Sequence, residues 1–144
     1  MHFVKLKLDI GYGNYSYHGS SDGRMGVLGC FLMDDVGCSK QHRPTFKDWA
    51  LADKTDPNSK FSHTIGGNAT FLEEDDDNDG CIHLVDATGS DEDDYYYIPA
   101  RLIMTKKQFV QLLDDWQEKV CKRKPKEVTI TYDGNQFTIE TSDV

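Results

Sequence analysis

Residues 75–86 read Asp75-Asp76-Asp77-Asn78-Asp79-Gly80-Cys81-Ile82-His83-Leu84-Val85-Asp86. Acids stand at the first, third, fifth and twelfth positions, a glycine at the sixth and an apolar residue at the eighth. That spacing matches a calcium loop, in which short carboxylates on alternate residues converge on a hard cation and glycine permits the sharp bend. The candidate ligands are Asp75, Asp77, Asp79 and Asp86. Two features pull the other way. The twelfth residue is Asp86 rather than the longer glutamate that binds through both oxygens, and the flanks, Ala69–Leu72 and Ile82–Val85, read as strands rather than helices. The competing reading is an acidic hairpin turn closed by Asp79-Gly80.

The same residues sit inside a wider concentration of charge. The chain has 144 residues, 25 acids, 16 bases and a formal net charge of -9. Eleven of the acids fall between residues 73 and 94, where there is no Lys or Arg: Glu73, Glu74, Asp75, Asp76, Asp77, Asp79, Asp86, Asp91, Glu92, Asp93 and Asp94. Without them the balance is 14 acids against 16 bases, or +2. Such a run repels itself, so it suits a solvated loop, a bound cation, or an electropositive partner drawn in by the field. Tyr95, Tyr96 and Tyr97 abut its end, and acid beside an amphipathic ring suits a partner rich in Arg and Lys. The residues expected to bind such a partner are Glu73, Glu74, Asp75, Asp76, Asp77, Asp79, Asp91, Glu92, Asp93, Asp94, Tyr95 and Tyr97.

Catalytic patterns are scarce. His2, His18, His42, His63 and His83 are scattered with no partner spacing, and there is no G-x-S-x-G, no H-E-x-x-H and no phosphate-cradling glycine loop. Gly11-Tyr12-Gly13 lacks the third glycine of the dinucleotide fingerprint. No enzyme activity and no cofactor is expected, although a site assembled from residues distant in sequence would escape this kind of reading. The four cysteines, Cys30, Cys38, Cys81 and Cys121, include no C-x-x-C, and Cys30, Cys38 and His42 fit no common zinc spacing. The first ten residues alternate rather than forming the apolar stretch of a signal peptide, and no apolar run approaches a bilayer span. The expectation is a cytoplasmic chain with reduced thiols and no membrane or nucleic-acid partner.

The elements that would hold these residues follow from periodicity. The N-terminus alternates as a strand. Gly11–Arg24 is rich in turn formers and reads as a loop, with a bent strand carrying Tyr12, Tyr15 and Tyr17. Val27–Met33 is a short apolar run that reads as a buried strand, and Thr45–Ala52 as a brief helix. Ala69–Glu73 and Cys81–Val85 form a pair joined by the acidic turn. Tyr95–Met104 is a further strand with Pro99 at an edge or bulge. Thr105 and Gln108 have the spacing of a capping box, Met104 and Phe109 that of a hydrophobic staple, and Phe109, Leu112, Leu113, Trp116 and Val120 share one helical face. Pro125 stops that helix. Val128–Tyr132 and Phe137–Ile139 close the chain as a hairpin over Asp133-Gly134-Asn135, in one of two registers. The fold class expected is α+β: one mostly antiparallel sheet, one long C-terminal helix (about 105–122) packed on it, then the hairpin, in a single domain 1–144.

Met104–Trp116, Lys122–Tyr132 and Phe137–Glu140, with their rhythm of capped helix, proline stop and hairpin, resemble the ends of small bacterial immunity proteins. These protect a cell from its own polymorphic toxins, as in contact-dependent growth inhibition. The resemblance covers about a quarter of the chain. It implies a cytoplasmic toxin inhibitor, the antidote half of a toxin and antitoxin pair. Such a protein binds a basic toxin domain, often a nuclease, and carries no catalytic residues of its own. An acidic surface competing for a cleft built for phosphates fits that role. The alternatives are a calcium-binding module or a small enzyme.

Overall fold

Among the described residues two four-stranded antiparallel sheets share one hydrophobic core, with helices packed between them. The computed structural model describes residues 2–9, 11, 13–38, 42–87 and 100–143, apart from the side chains of His42 and Arg43. The first sheet has the order β2-β1-β7-β8, from β1 (His2–Leu8), β2 (Tyr15–Ser20), β7 (Glu127–Tyr132) and β8 (Phe137–Ser142). The second has the order β3-β4-β5-β6, from β3 (Thr64–Gly66), β4 (Thr70–Glu74), β5 (Cys81–Asp86) and β6 (Arg101–Thr105). Among the described residues three helices complete the fold. α1 (Gly23–Cys30) continues as a π-helical stretch over Phe31–Val36, α2 spans His42–Leu51, and α3 (Lys106–Trp116) continues as a π-helical turn over Gln117–Cys121.

This corrects the expected single sheet carrying one long helix. The helical layer is as much a part of the fold as either sheet, and the reason lies in α1. Asp22 caps it, accepting from Met25 N at 3.0 Å. It packs on β1 and β2 of one sheet and on β5 and β6 of the other. A helix covered on both sides is apolar all round, so Val27–Met33 shows no 3.6-residue stripe and looks like a buried strand. Gly29 makes the close approach possible, since a Cβ there would lie 2.9 Å from Val4 Cγ2. Within Gly11–Arg24 the bent strand expected there is β2, which carries Tyr15 and Tyr17 and shifts register opposite Lys5 and Leu6, while Gly23 and Arg24 already belong to α1 rather than to a loop; Tyr12 lies outside the described residues.

Alternation sets the inner faces of both sheets. Val4, Leu6, Val128, Ile130 and Ile139 face inward from the first, and Leu72, Ile82, Leu84, Leu102 and Met104 from the second. The buried ring donors are satisfied: Trp49 Nε1 donates to Ser62 O at 2.9 Å, and Trp116 Nε1 to Gly37 O at 2.8 Å. Tyr15 Oη donates to Pro125 O at 2.5 Å, and burial, with Asp143 adding, pushes its phenol up to about 12. The C-terminal hairpin takes the register that sets Tyr132 opposite Phe137, their rings stacked at 4.3 Å.

The capping box at the start of α3 is formed, Thr105 Oγ1 accepting from Gln108 N at 3.0 Å and Gln108 Oε1 from Thr105 N at 2.8 Å. Thr105→Ala removes one half of it. It should cost about 1 kcal/mol in urea denaturation, whereas Thr105→Ser should match the wild type.

The thiols also depart from expectation. Cys38 and Cys121 form a disulfide across 83 residues, with Cα atoms 5.3 Å apart, while Cys30 and Cys81 are free. The two π-helical stretches end side by side, a juxtaposition that no linear spacing encodes. The pairing also removes Cys38 from any metal set with Cys30 and His42. Among the described residues no helix is long and apolar enough to cross a membrane.

Candidate functional site

The β4–β5 hairpin carries the acidic turn, and strand parity divides its acids into two kinds. Glu73 shares the outer face with His83, which it opposes across the pair. Arg101 Nη1 donates to Glu73 Oε1 at 2.9 Å and approaches His83 Nδ1 at 2.7 Å. A guanidinium can only donate, so His83 Nδ1 accepts and Nε2 carries the proton, donated to Asp75 Oδ2 at 2.9 Å. Asp75 Oδ1 also accepts from the backbone N–H groups of Asp77, at 2.9 Å, and Asn78, at 3.2 Å. The His83 hydrogen bond, with these backbone donors, holds the Asp75 carboxyl down at about 2.

Glu74 has the opposite parity and points into the helical layer. There it meets Lys54 at 3.4 Å, Lys106 at 2.9 Å and His63 at 3.1 Å. Although desolvation raises its pKa, the Lys106 hydrogen bond and the Lys54 charge hold the carboxyl below its usual value. The Lys54 side chain is only 2% exposed. Its ammonium lies 4.5 Å from the Trp49 ring centroid and donates to Trp49 O and Ala52 O at the end of α2. Burial lowers its pKa, and Glu74 offsets part of that. Glu74 therefore ties the end of α2 and the start of α3 to β4.

Of the acids expected to face a partner, Glu73, Glu74 and Asp75 are thus engaged within the chain, while Asp76, Asp77 and Asp79 project as an exposed turn. Asp91, Glu92, Asp93, Asp94, Tyr95 and Tyr97 lie outside the described residues. The described chain leaves the sheet at Ala87, whose N–H donates to Ala69 O, and re-enters at Ala100, whose carbonyl accepts from Asp86 N, each at 3.0 Å. Both points lie at the end of β5 away from the Asp75–Gly80 turn. The acids read in sequence as one run are therefore attached at opposite ends of one strand.

The same geometry bears on calcium. Asp86 pairs with Thr70 at the far end of β5, five residues beyond Cys81. At about 3.3 Å per residue it is on the order of 16 Å from the turn, too far to share a cation with Asp75, Asp77 and Asp79. Among the described residues no three His, Cys, Asp or Glu side chains are grouped to hold a metal ion. Nor does the His83–Asp75 pair have the form of a working acid–base dyad, because Arg101 occupies the nitrogen that would take a substrate proton.

Sequence reasoning did not find Lys54, Arg101 or Lys106, the cations that neutralise the hairpin. His83 is set opposite Glu73 by a five-residue turn, residues 76–80, that pairs Asp75 with Cys81; a two-residue Asp79-Gly80 turn would instead set Asp86 opposite Glu73. Comparison with protein-family models, with curated proteins and with solved structures finds no match for the chain.

Proposed function

We propose that this chain is an immunity protein, a non-enzymatic inhibitor that binds a basic toxin domain, with a nuclease as the expected class, through its acidic hairpin. The single observation that carries the reading is the contrast within the turn. Glu73, Glu74 and Asp75 are fixed by hydrogen bonds and ion pairs to Arg101, Lys106, Lys54 and His83, and so make a rigid mount. Asp76, Asp77 and Asp79 stand exposed on that mount, and no cation is paired with them among the described residues. Unpaired carboxylates on a backbone held in place lose little backbone entropy on binding and keep their field for a partner. The compartment in this reading is the cytoplasm, where an inhibitor meets an incoming nuclease; the Cys38–Cys121 disulfide counts against that compartment, because cytosolic thiols are normally kept reduced.

Co-expression with the product of the adjacent gene tests the reading directly: rescue of growth is expected, and a neighbour with no toxicity sinks it. The surface is tested by Asp76→Asn, Asp77→Asn and Asp79→Asn together. The association rate with that product should fall about tenfold at low salt and much less at high salt, with thermal stability unchanged. An unaltered association rate would move the interface elsewhere.

A further inference from the structure

The two sulfurs of the Cys38–Cys121 disulfide stand in unequal surroundings. Cys121 packs against the core, and its Sγ lies 3.6 Å from Gly37 O. Cys38 instead lines a cavity of about 190 Å³ that opens to solvent, together with Asn14, Met33, Trp116 and Lys124. Among the described residues Cys121 does not line it. A thiolate breaks a disulfide by attacking one sulfur and expelling the other, so access decides which sulfur is attacked and which one leaves. Access here is from the side of Cys38.

The wall of this cavity carries a backbone outlier. Lys124 has a φ of 50°, in the left-handed region, and is the one non-glycine residue there among the described residues. Its N–H donates to Val120 O at 2.8 Å and closes the helical end, a place where glycine or asparagine is usual. A lysine keeps the same turn at a backbone cost and adds a cation. The ammonium lies 5.9 Å from the Tyr15 ring centroid and 3.4 Å from Gly13 O, both on the cavity wall. Lys124 is the only charged residue in the described lining, and Asp143, which acts on the Tyr15 phenol, is not part of it. A cation beside a sulfur favours thiolate over thiol.

We propose that Cys38 is a site of reversible S-thiolation by small thiols of the glutathione class, that Lys124 draws the attacking thiolate to it, and that Cys121 is the resolving thiol. The thiolate attacks Cys38 Sγ. A new S–S bond forms there, the Cys38–Cys121 bond breaks, and its electron pair leaves on Cys121 Sγ, which takes a proton from water. Gly37 O, 3.6 Å away, is placed to accept from the resulting S–H. A second thiolate attacks the sulfur of the bound thiol and releases Cys38 as a thiolate. The chain has then gained two electrons, and two small thiols have become one disulfide. In reverse, the Cys38 thiolate attacks that small disulfide, and the Cys121 thiolate expels the bound thiol and restores the cross-link. Disulfides in a reducing compartment are usually transient and redox-sensing, and the Cys38–Cys121 bond belongs to that kind. The site goes beyond the inhibitor reading and does not depend on it.

The test adds reduced glutathione to the native protein without denaturant and follows the Cys38–Cys121 bond by acid quench and peptide mass spectrometry. The opening rate should rise in proportion to glutathione and exceed the rate of global unfolding, which is measured separately by urea jump. Lys124→Gln should slow opening about threefold at low salt and less at high salt, with the unfolding rate unchanged. Cys121→Ser cannot resolve an adduct. With oxidised glutathione it should be modified at Cys38 about tenfold faster than Cys38→Ser is modified at Cys121, adducts at Cys30 and Cys81 being mapped separately. If either serine variant fails to fold, the wild-type and Lys124→Gln kinetics decide alone. An opening rate that levels off at the unfolding rate would make the bond purely structural and overturn the proposal, as would faster modification at Cys121. An unaltered rate in Lys124→Gln would overturn the part given to Lys124.

Discussion

Asp35→Ala should lower unfolding stability by on the order of 4 kcal/mol, among the largest losses expected of any single side chain here. Asp35 lies in the π-helical stretch after α1 and is only 4% exposed. Its Oδ1 accepts from the backbone N–H groups of Asn68, at 2.5 Å, and Ala69, at 3.1 Å. Its Oδ2 accepts from Thr70 N at 3.0 Å and from Thr70 Oγ1. One carboxylate thus satisfies four donors where the chain turns from β3 into β4. Alanine leaves those donors without a partner, and each buried unmatched group costs about 1–3 kcal/mol, discounted where water can enter. For a domain whose whole stability is about 5–15 kcal/mol, that is a large fraction. Asp35→Asn keeps an acceptor oxygen and should cost less than alanine. Gly67→Ala should also destabilise, because a Cβ there would sit closer than 3.0 Å to the Asp35 carboxylate. Urea unfolding followed by circular dichroism measures all three, and an Asp35→Ala midpoint equal to the wild type would refute this role.

What the sequence discloses, and what it conceals, divides along a physical line. Local chemistry reads well. The Thr105–Gln108 capping box, the α3 stripe of Phe109, Leu112, Leu113 and Trp116, and the two strands on either side of Asp75–Gly80 all follow from contacts within a few residues. Long-range relations do not. The environment on both sides of α1 erases the periodicity that would mark it as a helix, and its apolar run imitates a strand. Asp35 looks like one more surface acid until β3 and β4 close over it from 33 to 35 residues away.

The acidic run shows the same limit from the other side. Counting charge along the chain treats neighbours in sequence as neighbours in space. A hairpin obeys different rules: parity sends Glu73 and Glu74 to opposite faces, and strand length separates the Asp75–Gly80 turn from Ala87. The bases that neutralise the strand acids come from positions 54, 101 and 106, none inside the run. Among the described residues the exposed remainder of the run at its first end is Asp76, Asp77 and Asp79. It is well defined, because its mount is held by hydrogen bonds rather than by a loop.

Opening the Cys38–Cys121 disulfide should cost on the order of 4 kcal/mol. The bond spans 83 residues of sequence, and the loop it closes holds α2, the whole second sheet and α3. Cross-linking so long a loop removes much of the unfolded chain's freedom, which loop-closure entropy puts at about 4–5 kcal/mol, while native disulfides removed from small domains typically cost about 2–5 kcal/mol. The folded state has little reason to move when the bond opens, because Trp116 Nε1 already donates to Gly37 O, one residue from Cys38, and holds the same two segments together. The loss should therefore appear in equilibrium stability and not in the native fold. Replacing Cys38 and Cys121 together by serine, which leaves no odd thiol, should lower the urea midpoint while the native circular dichroism is unchanged. Dithiothreitol should lower the wild-type midpoint to the same value and leave the variant where it is. The unreduced wild type, denatured, should show two free thiols, those of Cys30 and Cys81. Four thiols, or a wild-type midpoint indifferent to reductant, would remove the cross-link from the account of stability and leave Trp116 as the contact that holds the two helical ends together.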